Sequence, residues 1–324
     1  MATVTTPVTL AEAARTGQLT ERDATLYEAF MSPLSTRQGM GLTFLDVFPW
    51  KNVSGLSYEF QRELGLPTIT PRGVNQTVTR SVGSTETVTE ALKVYPAEYI
   101  IDEAIMRTPA GRLAFATQAR LHVKALMNTV MNHVFKGDSN SSAYQLDGLQ
   151  SRAVGDQLVS EGSTSGGDPL QIANLRLSID RCNGSNKVIF CGKGLSRRFD
   201  AALGLSAIGG AVQIADTQFG AKAKVFDGIP IIPVADLDGG DNILGFTEAG
   251  AGGGTTATSL YVCALGDDGL MGLRNGGWLD GQTNLPDSVA QATLGRMLYL
   301  PGIAMLNSKC MVRHYGISDA AIIA

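Results

Sequence analysis

The stretch from Leu56 to Asp138 constrains this chain most, because it reads as a part that is not stable alone. Leu56, Tyr58 and Phe60 alternate with polar residues, and Val88, Leu92 and Val94 alternate again, which is a strand signal. Between them Gln61 to Thr87 is rich in Thr, Ser, Gly and Pro, with only scattered aliphatics. A long amphipathic helix follows. A two-stranded arm with a polar tip buries too little apolar surface to stand in water unaided. It makes sense if a neighbouring subunit completes it, so the sequence points to assembly rather than turnover.

Composition supports a folded chain with large contact surfaces. Of 324 residues, 44% are hydrophobic and only 17% charged, which excludes global disorder. The 38 glycines call for many turns and close backbone approaches. A formal net charge of −4 gives no global basic footprint for tight nucleic-acid binding, though sparse contacts on one face remain compatible with it. Cys182, Cys191, Cys263 and Cys310 lack CxxC spacing and read as buried small side chains, not as a disulfide framework or a zinc site. No basic region followed by an apolar run opens the chain, and no stretch approaches a membrane span. The expectation is a protein made and assembled in the cytoplasm.

Along the chain, Thr9 with Glu12 fits a capping box stopped at Gly17, and Thr20 with Asp23 repeats the signal. Leu26, Tyr27, Phe30 and Met31 then form a helical stripe ended before Pro33. Two short helices of this kind read as an arm lying on something larger. Thr87 to Ile101 reads as one long strand whose pairing Pro96 limits. Thr108-Pro109 has the N-cap and first-position chemistry of a helix start. Phe115, Ala119, Leu126 and Val130 recur at helical spacing until Gly137, giving a helix roughly 40 Å long. Residues 139–167 read as a loop or boundary, and Asp168-Pro169 as another helix start with Leu170, Ile172, Leu175 and Ile179 on its stripe. Lys187 to Cys191, Ile229 to Val234, Leu260 to Leu265, Leu294 to Leu300 and Cys310 to Tyr315 read as strands, Gly194 to Leu205 as a short helix, and Gly250 to Thr256 as a flexible loop. With no sustained βαβα alternation the fold class is α+β.

Chemistry-bearing motifs are sparse. There is no GxxxxGK[ST] phosphate loop and no GxSxG elbow; Gly162-Ser163-Thr164-Ser165-Gly166 comes near, but Thr164 holds the central place. Gly192-Lys193-Gly194 reads as a turn. His122 and His133 share a helix about three turns apart, too far for one metal, and with His314 read as polar or interface positions. Asp236, Asp238 and Asp241 depart from the calcium-loop pattern and read as a solvated turn. Asp267-Asp268-Gly269 reads as a hairpin turn. Asp102 and Glu103, adjacent on a strand, point to opposite faces and make a poor acid/base pair. Arg176, Arg181, Lys187, Lys193, Arg197 and Arg198 cluster in a span with few acids. They form either a solvated domain surface or a rim that meets anionic partners or lies near a pore between subunits.

The order of elements, together with Glu103-Ala104-Ile105-Met106-Arg107 before the long helix and Phe226-Asp227-Gly228-Ile229-Pro230-Ile231-Ile232-Pro233-Val234, resembles the major capsid proteins of tailed bacteriophages. These share the Hong Kong 97-type shell fold. The resemblance covers nearly the whole chain and rests on the succession of elements. It implies an N-arm over 1–48, an extended E-loop with flanking strands over 49–98, a spine helix over 99–140, an axial domain over 141–290, and C-terminal strands rejoining the peripheral domain over 291–324. It implies a structural protein, not an enzyme, with no cofactor and no metal. Hexamers and pentamers of the chain would close an icosahedral head around double-stranded DNA held by weak non-specific contact, within the bacterial cytoplasm and without a membrane. Implied partners are a portal protein, a separate scaffolding protein or none, and a decoration protein. Arg62, Glu63, Arg72, Arg80 and Glu86 on the arm would face a neighbour. Gln61–Thr87 holds no Lys, so the isopeptide crosslink of some members is not expected. An encapsulin-type compartment, which has the same shell fold, and an enzyme of unrecognised α+β fold are the rival readings.

Overall fold

The computed structural model describes residues 44–203, 211–216, 222–236, 243–276, 280–286 and 291–323. The expected helices of the first 43 residues, and Asp238 and Asp241 of the acidic turn, lie outside the described residues. The centre is a seven-stranded mixed sheet. Its strands in spatial order are β5 (Leu158–Ser160), β15 (Met311–Ile317), β10 (Thr258–Ala264), β6 (Lys187–Gly192), β9 (Ile229–Val234), β8 (Lys222–Phe226) and β7 (Val212–Asp216). Every residue of β10 is buried, which is why it reads as an unbroken apolar run and not as an alternation. Helices α5 (Ile172–Arg181) and α6 (Lys193–Ala202) lie against this sheet through Leu175, Leu195 and Phe199.

Two smaller sheets and a long helix complete the body. In the first, β1 (Trp50–Asn52), β11 (Leu270–Arg274) and β14 (Pro301–Met305) pair side by side. In the second, β12 (Asp280–Pro286), β13 (Ala292–Tyr299) and β4 (Tyr95–Asp102) pair antiparallel. Pro96 sits on β4, an edge strand, where its missing N–H costs no ladder bond. A four-residue helix α1 (Phe44–Val47) leads into β1, and α2 (Glu103–Met106) follows β4. Helix α3 runs from Pro109 to Lys136, about 42 Å at 1.5 Å per residue.

The expected ends of α3 are where the sequence places them. The Thr108 side chain accepts from the Gly111 N–H at 3.1 Å, and the Gly137 N–H donates to the His133 carbonyl at 2.9 Å. Ala119, Val123, Leu126, Met127, Val130, Met131 and Val134 form its buried face. That face meets β4: Tyr99 lies 4.9 Å from Phe115 between ring centroids, and the Tyr95 hydroxyl bonds His133 Nδ1 at 2.8 Å. Burial pushes the Tyr99 phenol up to about 12. Gly295 faces Tyr99 across the ladder, and a Cβ there would fall 2.2 Å from the ring, so the tyrosine lies flat only because this position is glycine.

Several expectations are corrected. Thr87 to Ile101 is two strands, β3 (Ser84–Ala91) and β4, in two different sheets, broken where Leu92 and Lys93 turn to bond Leu56 and Pro301. The helix expected from Asp168 begins at Ile172. The Asp168 N–H and carbonyl are taken by Gly316 and Ser318 in a bridge to the C-terminal segment, and its carboxylate accepts from the Thr164 N–H. Gly192-Lys193-Gly194 is no turn but the passage from β6 into α6. Asp267-Asp268 links β10 to β11, which belong to different sheets, so it closes no hairpin. Gly250 to Thr256 is a hydrogen-bonded turn closed by a Glu248–Ala257 bridge. The last segment divides: β13 pairs with β4 and β14 with β11, whereas β15 pairs with β10 and β5 in the central sheet. Residues 291–324 thus serve three sheets.

Burial holds the His133 imidazole below its ordinary pKa of 6.5. On acidification the unfolded chain takes up this proton first, so native stability falls as pH drops below about 6.5 towards the folded value. Urea midpoints measured across that window decline in the wild type, and His133→Gln, which cannot titrate, lacks this component.

Candidate functional site: the projecting arm

Strands β2 (Ser57–Gly65) and β3 pair as a hairpin with Tyr58 opposite Glu90, Phe60 opposite Val88 and Arg62 opposite Glu86. The root of this arm is fastened to the chain's own body. Phe60 is buried with Leu92, Met271, Leu273 and Ala304, a second small core over the β1-β11-β14 sheet. Glu90 takes a two-pronged bond from Arg152, at 2.6 and 2.8 Å, on the four-residue helix α4 (Leu149–Arg152). Arg152 also donates to the Asp147 carbonyl at 2.8 Å. Lys93 donates to the Ala143 carbonyl at 2.8 Å. The alternation read from the sequence holds for Tyr58 and Phe60 but fails at Leu56, which is 58% exposed.

Beyond Gly65 the arm has no such fastening. Residues 66–83 contain no strand or helix, and a turn at 74–75 puts Asn75 at a φ of 64°. Their internal bonds are few: Arg72 donates to the Gln76 carbonyl, Gly73 N–H to Gln76 Oε1, and Ser81 to the Thr68 carbonyl. Leu66, Ile69, Val74, Val78 and Val82 are 64–94% exposed. Fully burying such side chains is worth about 2 kcal/mol each, so the tip holds on the order of 10 kcal/mol of unrealised burial before ordering costs.

The arm's charged residues divide. Arg62 and Glu86 pair with each other at 2.8 Å across the hairpin, so the first partner of each is intramolecular. Glu63, Arg72 and Arg80 are exposed, the latter two on the tip. The six cations expected as a rim do not form one surface. Arg176 pairs with Asp227 at 2.9 Å, and Arg198 with Asp319 at 2.8 Å. Arg181 donates to the Asp156 and Leu158 carbonyls, and Lys187 to the Ile179 carbonyl. Lys187 and Lys193 stand at opposite ends of β6, with Arg197 exposed on α6 beyond Lys193. Arg181 and Lys187 instead line a cleft of about 780 Å³ beside Asp156 and Asp180, where acids balance them.

One constellation was invisible in the sequence. Ser178 Oγ lies 3.2 Å from His314 Nδ1, and His314 Nε2 meets Glu161 Oε2. Glu161 Oε1 accepts from the Gln171 N–H at 2.7 Å and from Asn174. The residue types are those of a hydrolytic triad, but all three are buried and no described cavity reaches them. Their role is structural: Glu161 caps the uncapped start of α5 from outside and ties it to β15. The spacings 161, 178 and 314 carry no local signal by which sequence reasoning could find them. All four cysteines are buried thiols. Burial pushes Cys182 up to about 11 and Cys310 to about 12, which makes them poor nucleophiles. Among the described residues no group of three or more His, Cys, Asp or Glu could hold a metal ion, and no helix is long and apolar enough to cross a membrane.

No family model and no curated protein matches the sequence. Solved structures do match the fold. The chain of the empty GTA particle capsid superposes with a TM-score of 0.62 at 11% identity, over 85% of this chain and 90% of that one. The holo-SrpI encapsulin of Synechococcus elongatus PCC 7942 gives 0.56 at 13% identity, over 90% and 97%. A chain from Microbacterium phage Oxtober96 gives 0.57 at 13% identity, over 86% and 91%. The chain therefore has the Hong Kong 97-type capsid shell fold, a mixed helix-and-sheet architecture shared by phage capsids and encapsulins.

The arm root is the test of this geometry. Arg152→Ala leaves Glu90 part-buried without its cation and lowers stability by about 2 kcal/mol, and Phe60→Ala costs about 3 kcal/mol through the cavity it leaves. Both show as lower urea midpoints, with faster hydrogen exchange over 84–92 than over β10.

Proposed function

We propose that this chain is a shell subunit, the major capsid protein of a tailed bacteriophage, which builds hexamers and pentamers around double-stranded DNA. The observation that carries this reading is the arm: a rigid root on the subunit's own body and a tip whose aliphatics find no cover there. A surface that is incomplete on one copy and complete on two makes association head-to-tail, and rings or closed shells follow when the rotation closes. On this reading the central sheet with α5 and α6 is the axial domain, and α3, β4, β13 and the arm form the peripheral one. The role is structural rather than enzymatic. DNA is held weakly, in keeping with a net charge of −4, and portal, scaffolding and decoration proteins act as partners.

The compartment reading rests on the same shared fold, since the encapsulin chain is covered over 97% of its length and a chain from Mycobacterium phage Bobi over 100%. The contents of particles isolated from the source organism separate the two. Nuclease-protected double-stranded DNA marks a virion, and a co-purifying protein cargo without DNA marks a compartment.

Removing residues 66–83 and joining Gly65 to Ser84 through a short turn spares Phe60 and the Glu90–Arg152 bond. The expected outcome is a subunit with unchanged unfolding midpoint that gives no particles by electron microscopy or sedimentation. Intact shells at wild-type yield would refute the role given to the tip.

A further inference from the structure

The dipeptide Asn-Gly occurs at 183–184 and again at 275–276. A glycine after asparagine has no side chain to block its backbone nitrogen from attacking the carboxamide, so either pair can close a five-membered succinimide ring. The structure treats the two differently. Asn275 follows β11 and is half-buried. Its carboxamide donates to the Gly55 carbonyl at 2.8 Å, and its own N–H donates to the Leu300 carbonyl at 3.3 Å. Turning that carboxamide towards the Gly276 nitrogen breaks the first of these bonds.

Asn183 lies in the link between α5 and β6 and is exposed. Its N–H donates to the Lys309 carbonyl at 2.7 Å, which fixes the backbone. Among the described residues no hydrogen bond holds its carboxamide or the Gly184 N–H. Asn183 lines the cleft of about 780 Å³ and also a second, of about 510 Å³, beside Asp267 and Asp268, so water reaches it from both. The fold also holds the reactive neighbour in place. Gly184 has a φ of 139°, and a Cβ there would fall 2.6 Å from the Cβ of Ala264 in β10.

We propose that Asn183 is a self-modification site, converting without an enzyme to aspartate and isoaspartate while Asn275 keeps its amide. The Gly184 nitrogen attacks Cγ of Asn183 and the new C–N bond closes the ring. The amide nitrogen departs as ammonia, carrying the Gly184 proton. Water then opens the ring at either carbonyl, which gives aspartate or isoaspartate. Each conversion adds a negative charge beside Lys309, where the two clefts meet. Isoaspartate also adds a methylene to the main chain and so lengthens the link between α5 and β6. A subunit that outlives its synthesis by long periods accumulates this mark with age.

The test uses the wild-type full chain, so no variant has to fold. It is kept warm at slightly alkaline pH for several weeks, native in one arm and unfolded in urea in the other. Peptides spanning 183 and 275 are followed by mass spectrometry, with isoaspartate resolved from aspartate. In the native arm Asn183 converts about tenfold or more faster than Asn275 and isoaspartate is among its products, whereas in urea the two rates converge. An intact Asn183 amide in the native arm overturns the proposal, as do equal native rates or aspartate as the sole product. A difference that persists in urea places the cause in local sequence and not in the fold, which overturns it as well. The rates are read on whatever oligomer the chain forms, so the result does not depend on shell assembly.

Discussion

The structure depends on the joint where the C-terminal end of α3 enters the central sheet. Phe135 lies 5.5 Å from Tyr261 of β10 and 6.0 Å from Phe190 of β6, and Phe44 meets Phe135 and Phe190 edge-to-face. Aromatic groups of this size dominate burial, and their edge-to-face contacts add to it. Below them Glu248 is buried between Arg313, at 3.0 Å, and Lys136, and it also accepts from Ser259. Removing both cations would strand a charge in the core. This joint therefore ties the C-terminal end of α3 to the central sheet.

That rigidity gives the arm its meaning. A tip that contributes no fold energy of its own can act on a neighbour only if its root does not give. The Phe60 cluster on β2 and the Glu90–Arg152 bond on β3 supply this stiffness, one from each strand on the same face of the hairpin. The design separates two requirements. Side chains that face the subunit's own body are satisfied before assembly, and those of the tip wait for another surface.

The sequence made the long-range order of elements legible, and α3 in full, because Thr108-Pro109 and Gly137 are chemical stops that no tertiary contact overrides. It also made the arm legible as a hairpin with a tip outside regular structure. Strands β11 and β14 were missed: Leu270–Arg274 and Pro301–Met305 are short, buried on both faces and interrupted by glycine, so period-two alternation is absent. The start of α5 was misplaced because Asp168 is claimed by a backbone bridge to residues more than 140 positions away. The arm's charges were assigned to a neighbour because the hairpin register, which sets Arg62 against Glu86, is fixed by strand pairing that the residue pattern does not reveal. The cation cluster looked continuous only because six residues close in sequence lie on three elements, where local carbonyls and carboxylates take most of them.

A tip that exposes five aliphatics should invite aggregation, and its composition explains why it need not. Pro67 and Pro71 remove backbone donors from the segment where an alien strand would add, and Arg72 and Arg80 repel like copies approaching in register. Residues 66–83 form no strand, so they present no continuous ladder of N–H and carbonyl groups. What remains is apolar area without a template for edge pairing. With no Lys between Gln61 and Thr87, nothing in the arm supplies an amine for a covalent lock. On the proposed shell reading each contact is then individually weak and reversible, which lets errors in a growing assembly dissociate before many such contacts act together.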